Sequence, residues 1–577
     1  MAQDVTIVGE DGRPLSIAPR SRARADGAPG TPGWNWGALQ VPGGSSAFFP
    51  YDASLPASQE MGNWWPVIRS PDSEINWFRD RVVGRTRDLV RNSGWASGGI
   101  ARILDSTIGT QLRLSAMPDY RALAQQTGIT AFDAKWANEY RRAVESLYRG
   151  YAEHPGRWND LERSLTVGQQ QRLALRHKLI DGDGLSLAYW RPDRVGPGAA
   201  TFATCFQIVD PDRLCNPLMQ MDTKYLRGGV EIDDDGVRVA AHIRKAEPYD
   251  WYNALESNEW ERVEFEDPDG WRRVYLDFDI DRAGQHRGLS IFVPVLTHMR
   301  MLARYYGVEL QAATLAATFG TYVTSPYDPA QVEEAVGGIE DAELSAYQKL
   351  RAAWSKEKPA MFGGVRMPTL APGESIESVA SQHPHGNFGE FAHEMLCVFA
   401  AATGISVEQV TQDWSKTSYS SARAALMETW KTLMRRRGDF CTNTATPWYA
   451  TWLWEVHDRG MLKDVLPRNA PKYVEAAAAY ARADWLGPGR GYIDGQKEPL
   501  GAQLRMDTAV STLRDEAAEQ GADWEEQLDQ RQIEIEGFRE RNIPLPSWSN
   551  EEAAKTDEGT GSHDPDSPNY KSGGRTE

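Results

Sequence analysis

Four cysteines in 577 residues (Cys205, Cys215, Cys397 and Cys441) are too few and too scattered for a disulfide framework, and no CxxC pair starts a zinc site. Cys205 and Cys215 are near enough in sequence to meet, but in a chain made in the cytoplasm two small buried residues are the expectation. No stretch approaches about eighteen uninterrupted apolar residues, so no membrane-spanning helix is expected. The opening MAQDVTIVGEDGRPLS lacks a basic region followed by an apolar core, so cytoplasmic synthesis is expected rather than secretion. Basic residues are outnumbered, 63 Lys and Arg against 81 Asp and Glu, for a net charge of −18. This balance argues against gripping DNA by phosphate neutralisation, which needs clustered Lys and Arg. It is compatible with a wall along which DNA slides, because an acidic surface repels phosphates. No internal repeat is found, and the length predicts about two to four domains rather than one core.

Catalytic and metal-binding patterns are equally scarce. His393-Glu394-Met395-Leu396-Cys397 begins like HExxH but ends in Cys, so the second zinc ligand is missing. His383 and His385 precede a predicted helix without an acidic or Cys partner at fixed spacing, and read as turn or capping residues. Asp181-Gly182-Asp183-Gly184 resembles the start of a calcium loop, but no bidentate Glu follows, so it reads as a turn. Gly487, Gly489 and Gly491 lack the Lys-Ser/Thr of a phosphate-binding loop and do not follow an apolar strand. No GxSxG elbow occurs. No cofactor and no metal are implied.

What is abundant is tryptophan, 21 residues. Packing and subunit interfaces are the plain explanation; together with the acidity they also leave a carbohydrate-active enzyme open. Along the chain, 1–33 is rich in Arg, Gly and Pro and predicts a flexible arm, while 34–75 mixes aromatics with Gly and Pro as in an extended strap. Helical spacing comes next, with Val82, Leu89 and Val90 on one helix and Ile100, Ile103, Leu104 and Ile108 on another, broken at Asn92-Ser93-Gly94. Helices over 131–153 and 166–181 lead into strands near 185–189, 202–214, 227–244 and 273–280, with a hairpin turn at Asp235-Gly236. This is an α+β region with an antiparallel sheet. A long helix then starts near Ser290. An insertion over 320–382 (strand, acidic helix, strand) separates it from a returning helix over 387–404. Helical patterns come at 471–484 and from about 498 to 541, with the loop DWLGPGRGYIDGQKEP between them, and the Ser/Asp/Glu/Pro/Gly-rich end predicts disorder.

The segment 404–437 stands apart. Thr411–Ser421, TQDWSKTSYSS, is almost wholly polar, and a long helix comes after it on which Ala422, Leu426, Trp430 and Leu433 share a face before it ends in Arg435, Arg436 and Arg437. A loop of hydroxyls with one cation can make weak contacts to a sugar-phosphate backbone. It can equally be an ordinary helix entry capped by Ser420 or Ser421. The blocks LVRNSGWASGGIARILDSTIGTQLRL (89–114), QIVDPDRLCNP (207–217), RGGVEID (227–233), GQHRGLSIFVPVL (284–296), the 404–437 segment and DWLGPGRGYIDGQKEPLGAQLRMDTAVSTLRDEAAEQGADWEEQLDQRQIE (484–534), in this order, resemble the lambda family of phage portal proteins. The resemblance covers about 30–545. It departs at Gly495, where many relatives have Pro, and at Leu500, Gly501 and Leu504, where others favour Ala.

The resemblance implies a ring-forming α+β portal fold with wing, helical stem, small α/β clip, long tunnel-supporting helix and helical crown. The implied divisions are a flexible arm (1–33), strap and wing (34–287), stem helix (288–319), clip (320–383), stem helix (384–404), tunnel loop (405–420), long wing helix (421–460), wing completion and crown (461–542) and a disordered acidic tail (543–577). It implies a non-enzymatic, dodecameric ring at one capsid vertex of a virion assembled in the host cytoplasm. Double-stranded DNA is packaged and ejected through it, with terminase, major capsid protein, scaffold and head-completion or tail connector proteins as partners and no membrane. The DNA-facing tunnel loop would be Gln412, Asp413, Trp414, Ser415, Lys416 and Thr417. The partner surface of the clip would be Glu333, Glu334, Glu340, Asp341 and Glu343, and Arg435, Arg436 and Arg437 a basic cluster at a helix end. Another ring-forming virion adaptor would share the ring but would not need the helix–insertion–helix order.

Overall fold

A computed structural model describes residues 64–318, 321–324, 360–362, 365–367, 375–378, 388–490 and 495–546. The arm, most of the strap, the acidic stretch Glu333–Glu343, His383, His385 and 547–577 lie outside the described residues. All the described helices and strands lie between Pro71 and Glu540.

Ser70 caps α1 (Pro71–Asn92), with Pro71 in the first turn and Asp72 and Glu74 near the positive end of the helix dipole. Ser93 ends α1 and its side chain caps α2 (Gly94–Thr107), the break expected at Asn92-Ser93-Gly94. Val83 and Val90, then Ile100, Ile103 and Leu104, supply the buried faces. β1 (Arg113–Ala116) precedes α3 (Tyr120–Thr127), α4 (Ala134–Ala152) and α5 (Val167–Asp181); a Thr166/Gln169 capping box opens α5.

β2 (Asp183–Trp190) starts one residue after α5 ends, so the Asp-Gly-Asp-Gly turn is a helix-to-strand junction. β3 (Thr204–Val209), β4 (Leu226–Arg227), β5 (Val230–Ile232), β6 (Arg238–Arg244), β7 (Trp260–Glu264) and β8 (Val274–Phe278) come after it. They form two antiparallel sheets of order β3-β2-β8 and β4-β5-β6-β7. Leu185 faces Val209 and Leu276 across β2, so alternate residues of the central strand enter one core with Val230, Ala241 and Val263 of the other sheet. The Asp235-Gly236 turn closes β5 on β6, with Gly236 at φ +82 and Asp233 N–H donating to Val237 O.

The long helix begins later than Ser290. A short 3-10 turn at Val293–Val295 leads into α6 (Leu296–Thr318). Ser290 Oγ instead donates to Leu179 O and accepts from Phe292 N, tying the approach to α5. After α6, β9 (Thr321–Thr324), β10 (Ala360–Phe362), β11 (Val365–Met367) and β12 (Ser375–Ser378) precede the returning α7 (Phe388–Thr403). β9 pairs antiparallel with β12 and closes the insertion at its root. Phe388 packs on Tyr305 and Tyr306, so α6 and α7 meet there.

α8 (Val407–Thr411) and a loop lead to α9 (Tyr419–Phe440), a π turn (Cys441–Ala445) and α10 (Thr446–Asp458) without interruption. Pro447 has no N–H and its ring crowds the preceding carbonyls, which accounts for the widened turn. The chain closes with α11 (Ala477–Tyr480), β13 (Ala483–Leu486) paired to β1, α12 (Lys497–Asp507), α13 (Leu513–Glu519) and α14 (Trp524–Glu540). α14 is tied to α4 through Arg141 and Arg142 to Glu525 and Arg149 to Glu526.

Packing accounts for part of the tryptophan: among the described residues Trp136, Trp448 and Trp452 are buried, while Trp64, Trp65, Trp77, Trp190, Trp251 and Trp414 are exposed. Trp448 and Trp452 are fully buried among Tyr140, Tyr148, Tyr151, Tyr449 and Tyr480, joining α4 to α10, with Trp452 stacked on Tyr151 and edge-on to Tyr148. His457 sits there too, its Nε2 2.8 Å from Tyr140 Oη, and burial lowers its pKa from the usual histidine value to about 4. The unfolded chain therefore takes up a proton below about pH 6.5 that the folded chain refuses until near 4. Stability should fall as pH drops through this window, by about 3 kcal/mol in all, and His457→Gln should flatten that slope; urea unfolding at pH 4–7 measures both.

Candidate functional site

The densest charged network among the described residues is built on a buried arginine. Arg287, in GQHRG, donates from Nε to Asp183 Oδ2 at 2.8 Å, from Nη1 to the carbonyls of Leu214 and Gly228 at 2.6 Å each, and from Nη2 to Pro211 O at 3.0 Å. Asp183 takes a second guanidinium, Arg79 of α1, at 2.9 Å, and its other oxygen accepts Gly288 N at 2.6 Å. Beside it, Arg87 spans Asp181, Asp210 and Asp212 at 2.7–2.8 Å. Burial alone would raise the Asp181 carboxyl, but hydrogen bonds from His177 and Arg87 bring it below the ordinary carboxylate value. Thus QIVDPDRLCNP, RGGVEID and GQHRG, separate in sequence, meet around one guanidinium. Sequence reasoning singles out none of Arg79, Asp183 and Arg287 as partners. The available signal is a pair of acidic residues flanking Gly182 directly after a helix, a pattern that reads as a turn.

A second charged node lies at Asp277 of β8. Lys178 donates to it at 2.9 Å, and Asn443 and Thr444 of the π turn reach it at 3.0 and 3.3 Å. The widened turn therefore docks α9 and α10 onto the sheet.

At the other end of α9 is the polar loop. Gln412 takes φ +59 and ends α8. Ser415 N and Oγ both donate to Asp413 Oδ1, at 3.0 and 2.6 Å, and Thr417 N donates to Trp414 O at 3.2 Å. These bonds from Ser415 hold the Asp413 carboxyl below its usual range. Gln412 through Lys416 are exposed, Trp414 by 38%, and Lys416 has no ion pair among the described residues. The cap is Ser418, accepting from Ser421 N, rather than Ser420 or Ser421. Gly404 (φ +71) turns the chain between α7 and α8 where a Cβ would lie 2.8 Å from Thr432.

Arg435, Arg436 and Arg437 do not gather at a helix end, because α9 continues past them. Arg435 is exposed and pairs with Asp439 at 2.8 Å. Arg436 turns inward, where burial lowers its pKa against the opposing charge of Asp279. Arg437, lowered to about 10 by burial, donates to Ser106 O, Thr107 O and Pro488 O at 2.8–2.9 Å. The first two carbonyls end α2, where no intrahelical donors remain. Gly487 is needed here, since a Cβ on it would lie 2.5 Å from the guanidinium. The Gly-rich run accommodates an arginine rather than a phosphate.

The family model for "Phage portal protein, lambda family" matches residues 57–437. The chain belongs to the lambda family of phage portal proteins. The matched portal region spans the charged frame, the insertion and the loop, and stops in α9 just before the π turn. The portal protein of Escherichia phage N15 is 30% identical over 85% of this chain and 90% of its own length, and portal protein B of Escherichia phage lambda is 29% identical over the same shares. Among solved structures, the neck of an empty gene transfer agent particle is similar with a TM-score of 0.38 at 12% identity, covering 64% of this chain and 82% of the other. Membership in a family of structural portal proteins goes against the carbohydrate-active enzyme alternative. No group of His, Cys, Asp and Glu is placed to hold a metal among the described residues, and no described helix is long and apolar enough to cross a membrane.

Removing one partner of a buried ion pair leaves an uncompensated charge. Arg287→Ala should cost about 3–5 kcal/mol, whereas Arg435→Ala, at an exposed pair, should cost under about 1 kcal/mol. Urea unfolding followed by circular dichroism compares them.

Proposed function

We propose that this portal protein assembles into a dodecameric ring at one capsid vertex, through which double-stranded DNA enters during packaging and leaves during ejection. The match of the portal family across the helix–insertion–helix–loop–helix order carries this reading. α6 and α7 act as the stem, the insertion between them as the clip, the loop before α9 as the tunnel loop, and α12 to α14 as the crown. Joining β9 to β12 at the root of the insertion supports this division, because it lets a small domain hang from two adjacent helices.

The loop's chemistry suits a restraint more than a grip. The Asp413 carboxylate is bonded within the loop by Ser415, leaving Lys416 as the cation offered to a passing phosphate. Repeated around the ring, Lys416 makes a thin positive collar in an acidic conduit, so each contact is weak and quickly broken. The clip carboxylates Glu333, Glu334, Glu340, Asp341 and Glu343 are proposed to face terminase during packaging and the head-completion proteins afterwards. Major capsid protein and scaffold would surround the wing. Arg437 is committed to the end of α2 and Arg435 is paired with Asp439, so the DNA contact is assigned to the loop rather than to these arginines.

Negative-stain electron microscopy of the purified chain should reveal annular particles with an axial hole. Lys416→Ala should leave ring assembly unchanged and lower genome retention after packaging, read as DNase-protected DNA per particle; unchanged retention would make the loop's charge dispensable.

A further inference from the structure

α14 is 17 residues long, about 25 Å, yet Glu525 is its one buried residue. None of its apolar side chains joins a hydrophobic core among the described residues, and Leu528 and Ile533 are 42% and 62% exposed. Helices in folded domains are ordinarily held by an apolar face. Here the attachment lies in the first turn and is made by charge. Asp523 caps the helix by accepting from Glu525 N and Glu526 N at 2.8 and 3.3 Å, which sets the two carboxylates that follow it.

Four guanidiniums receive those carboxylates. Glu525 takes Arg141, and Arg142 Nε at 3.4 Å; Glu526 takes Arg149, and Arg113 Nη1 at 3.5 Å. The arginines stand on a fixed base, because α4 buries Tyr140, Val144, Tyr148 and Tyr151 in the aromatic core and β1 is paired to β13. Beyond the first turn the two helices part. Asp529, Gln530 and Ile533 line, with Tyr148 and Glu153 of α4, an open cavity of about 560 Å³. The ion pairs differ in exposure. The side chains of Arg113, Arg142, Arg149 and Glu526 are 43–64% exposed, whereas those of Arg141 and Glu525 are 9% and 11%. Salt screens the outer pairs strongly and the inner one little.

The chain just before α14 is anchored independently. Ala517 is buried, Arg514 of α13 pairs with Asp484, and Arg490 N donates to Glu519 O at 3.2 Å. Gly521 (φ +75) lets the end of α13 lie directly on 487–489, since a Cβ on it would stand 2.6 Å from Gly487 O. Ala522 and Asp523 then lead straight into α14. A fixed pivot, a stiff arm and a charged contact make two states available, arm seated and arm released. We propose that α14 is a hinged arm whose seating on α4 is set by ionic strength: its first turn rests on the arginine row at low salt and leaves it, pivoting about 521–523, when salt screens the outer pairs. Every group in this latch belongs to one chain, so it does not depend on the ring reading. In the proposed portal it makes the last crown helix a movable element.

Hydrogen–deuterium exchange of the full-length chain, read by mass spectrometry, tests it at about 0.1 M and about 1 M sodium chloride, between which the screening length falls from ~10 to ~3 Å. A released helix of this length is marginal in water, so amides of 524–540 should exchange on the order of tenfold faster at the higher salt. Amides of α10, in the aromatic core, should be unchanged. Glu525→Gln/Glu526→Gln should bring the fast exchange to the lower salt and abolish the salt effect. Should that variant disturb α13, Arg142→Gln/Arg149→Gln weakens the same contact from the α4 side at two half-exposed positions. An apolar attachment would not loosen on screening. Exchange of 524–540 that is unchanged or slower at the higher salt overturns the proposal, as does wild-type protection in both variants. Loss of α10 protection in step with α14 overturns it too, because the release is then ordinary unfolding.

Discussion

The carboxylate of Asp183, held between Arg79 and Arg287 and donated to by Gly288, is the contact on which the rest of this chain depends. It sits where α5 gives way to β2, and Arg287 sits where the chain leaves the sheets for α6. Joining these points brings Gly182 and Gly288 into direct backbone contact, where a Cβ on Gly288 would lie 2.1 Å from Gly182 O. A desolvated ion pair is a poor source of net stability but a strong selector of geometry, since any other arrangement leaves charges buried without partners. Here it selects the direction in which α6 departs.

The second node, at Asp277, performs the same task for the long helix. Lys178 neutralises the carboxylate, and Asn443 and Thr444 use it to seat the π turn. On one side of the turn, α10 is locked into an aromatic core; on the other, α9 carries the 412–417 loop at its far end. The loop's own bonds are short-range and exposed. A stiff support thus presents a soft, weakly charged tip. The proposed tunnel-loop role asks for accurate placement with low affinity, and the buried end of α9 and the exposed loop before it would supply these separately.

Much of the architecture is legible in the residues alone. The Asn92-Ser93-Gly94 break, the Asp235-Gly236 turn, the antiparallel strands and the polar loop before a long helix arise from periodicity and from residues whose side chains or missing Cβ act within a turn. The boundaries that differ do so under tertiary influence. Ser290 leaves its expected cap position to bond Leu179, and the serine that caps α9 is Ser418 because its side chain reaches Ser421 N. Three consecutive arginines read as a cluster, yet a helix turns by roughly 100° per residue, so Arg435 points to solvent, Arg436 is half-buried and Arg437 reaches the end of α2.

By itself, the sequence determined the α+β class, the order of helix, insertion, helix, loop and helix, the acidic balance and the likeness to portal proteins, all of which depend on local pattern or on linear order. Only the tertiary structure decided which charges are buried. Asp183, Arg79 and Arg287 are separated by roughly a hundred positions each way, and no spacing rule relates them; what makes them partners is that folding removes water from all three together, and a buried charge must then find its counterion.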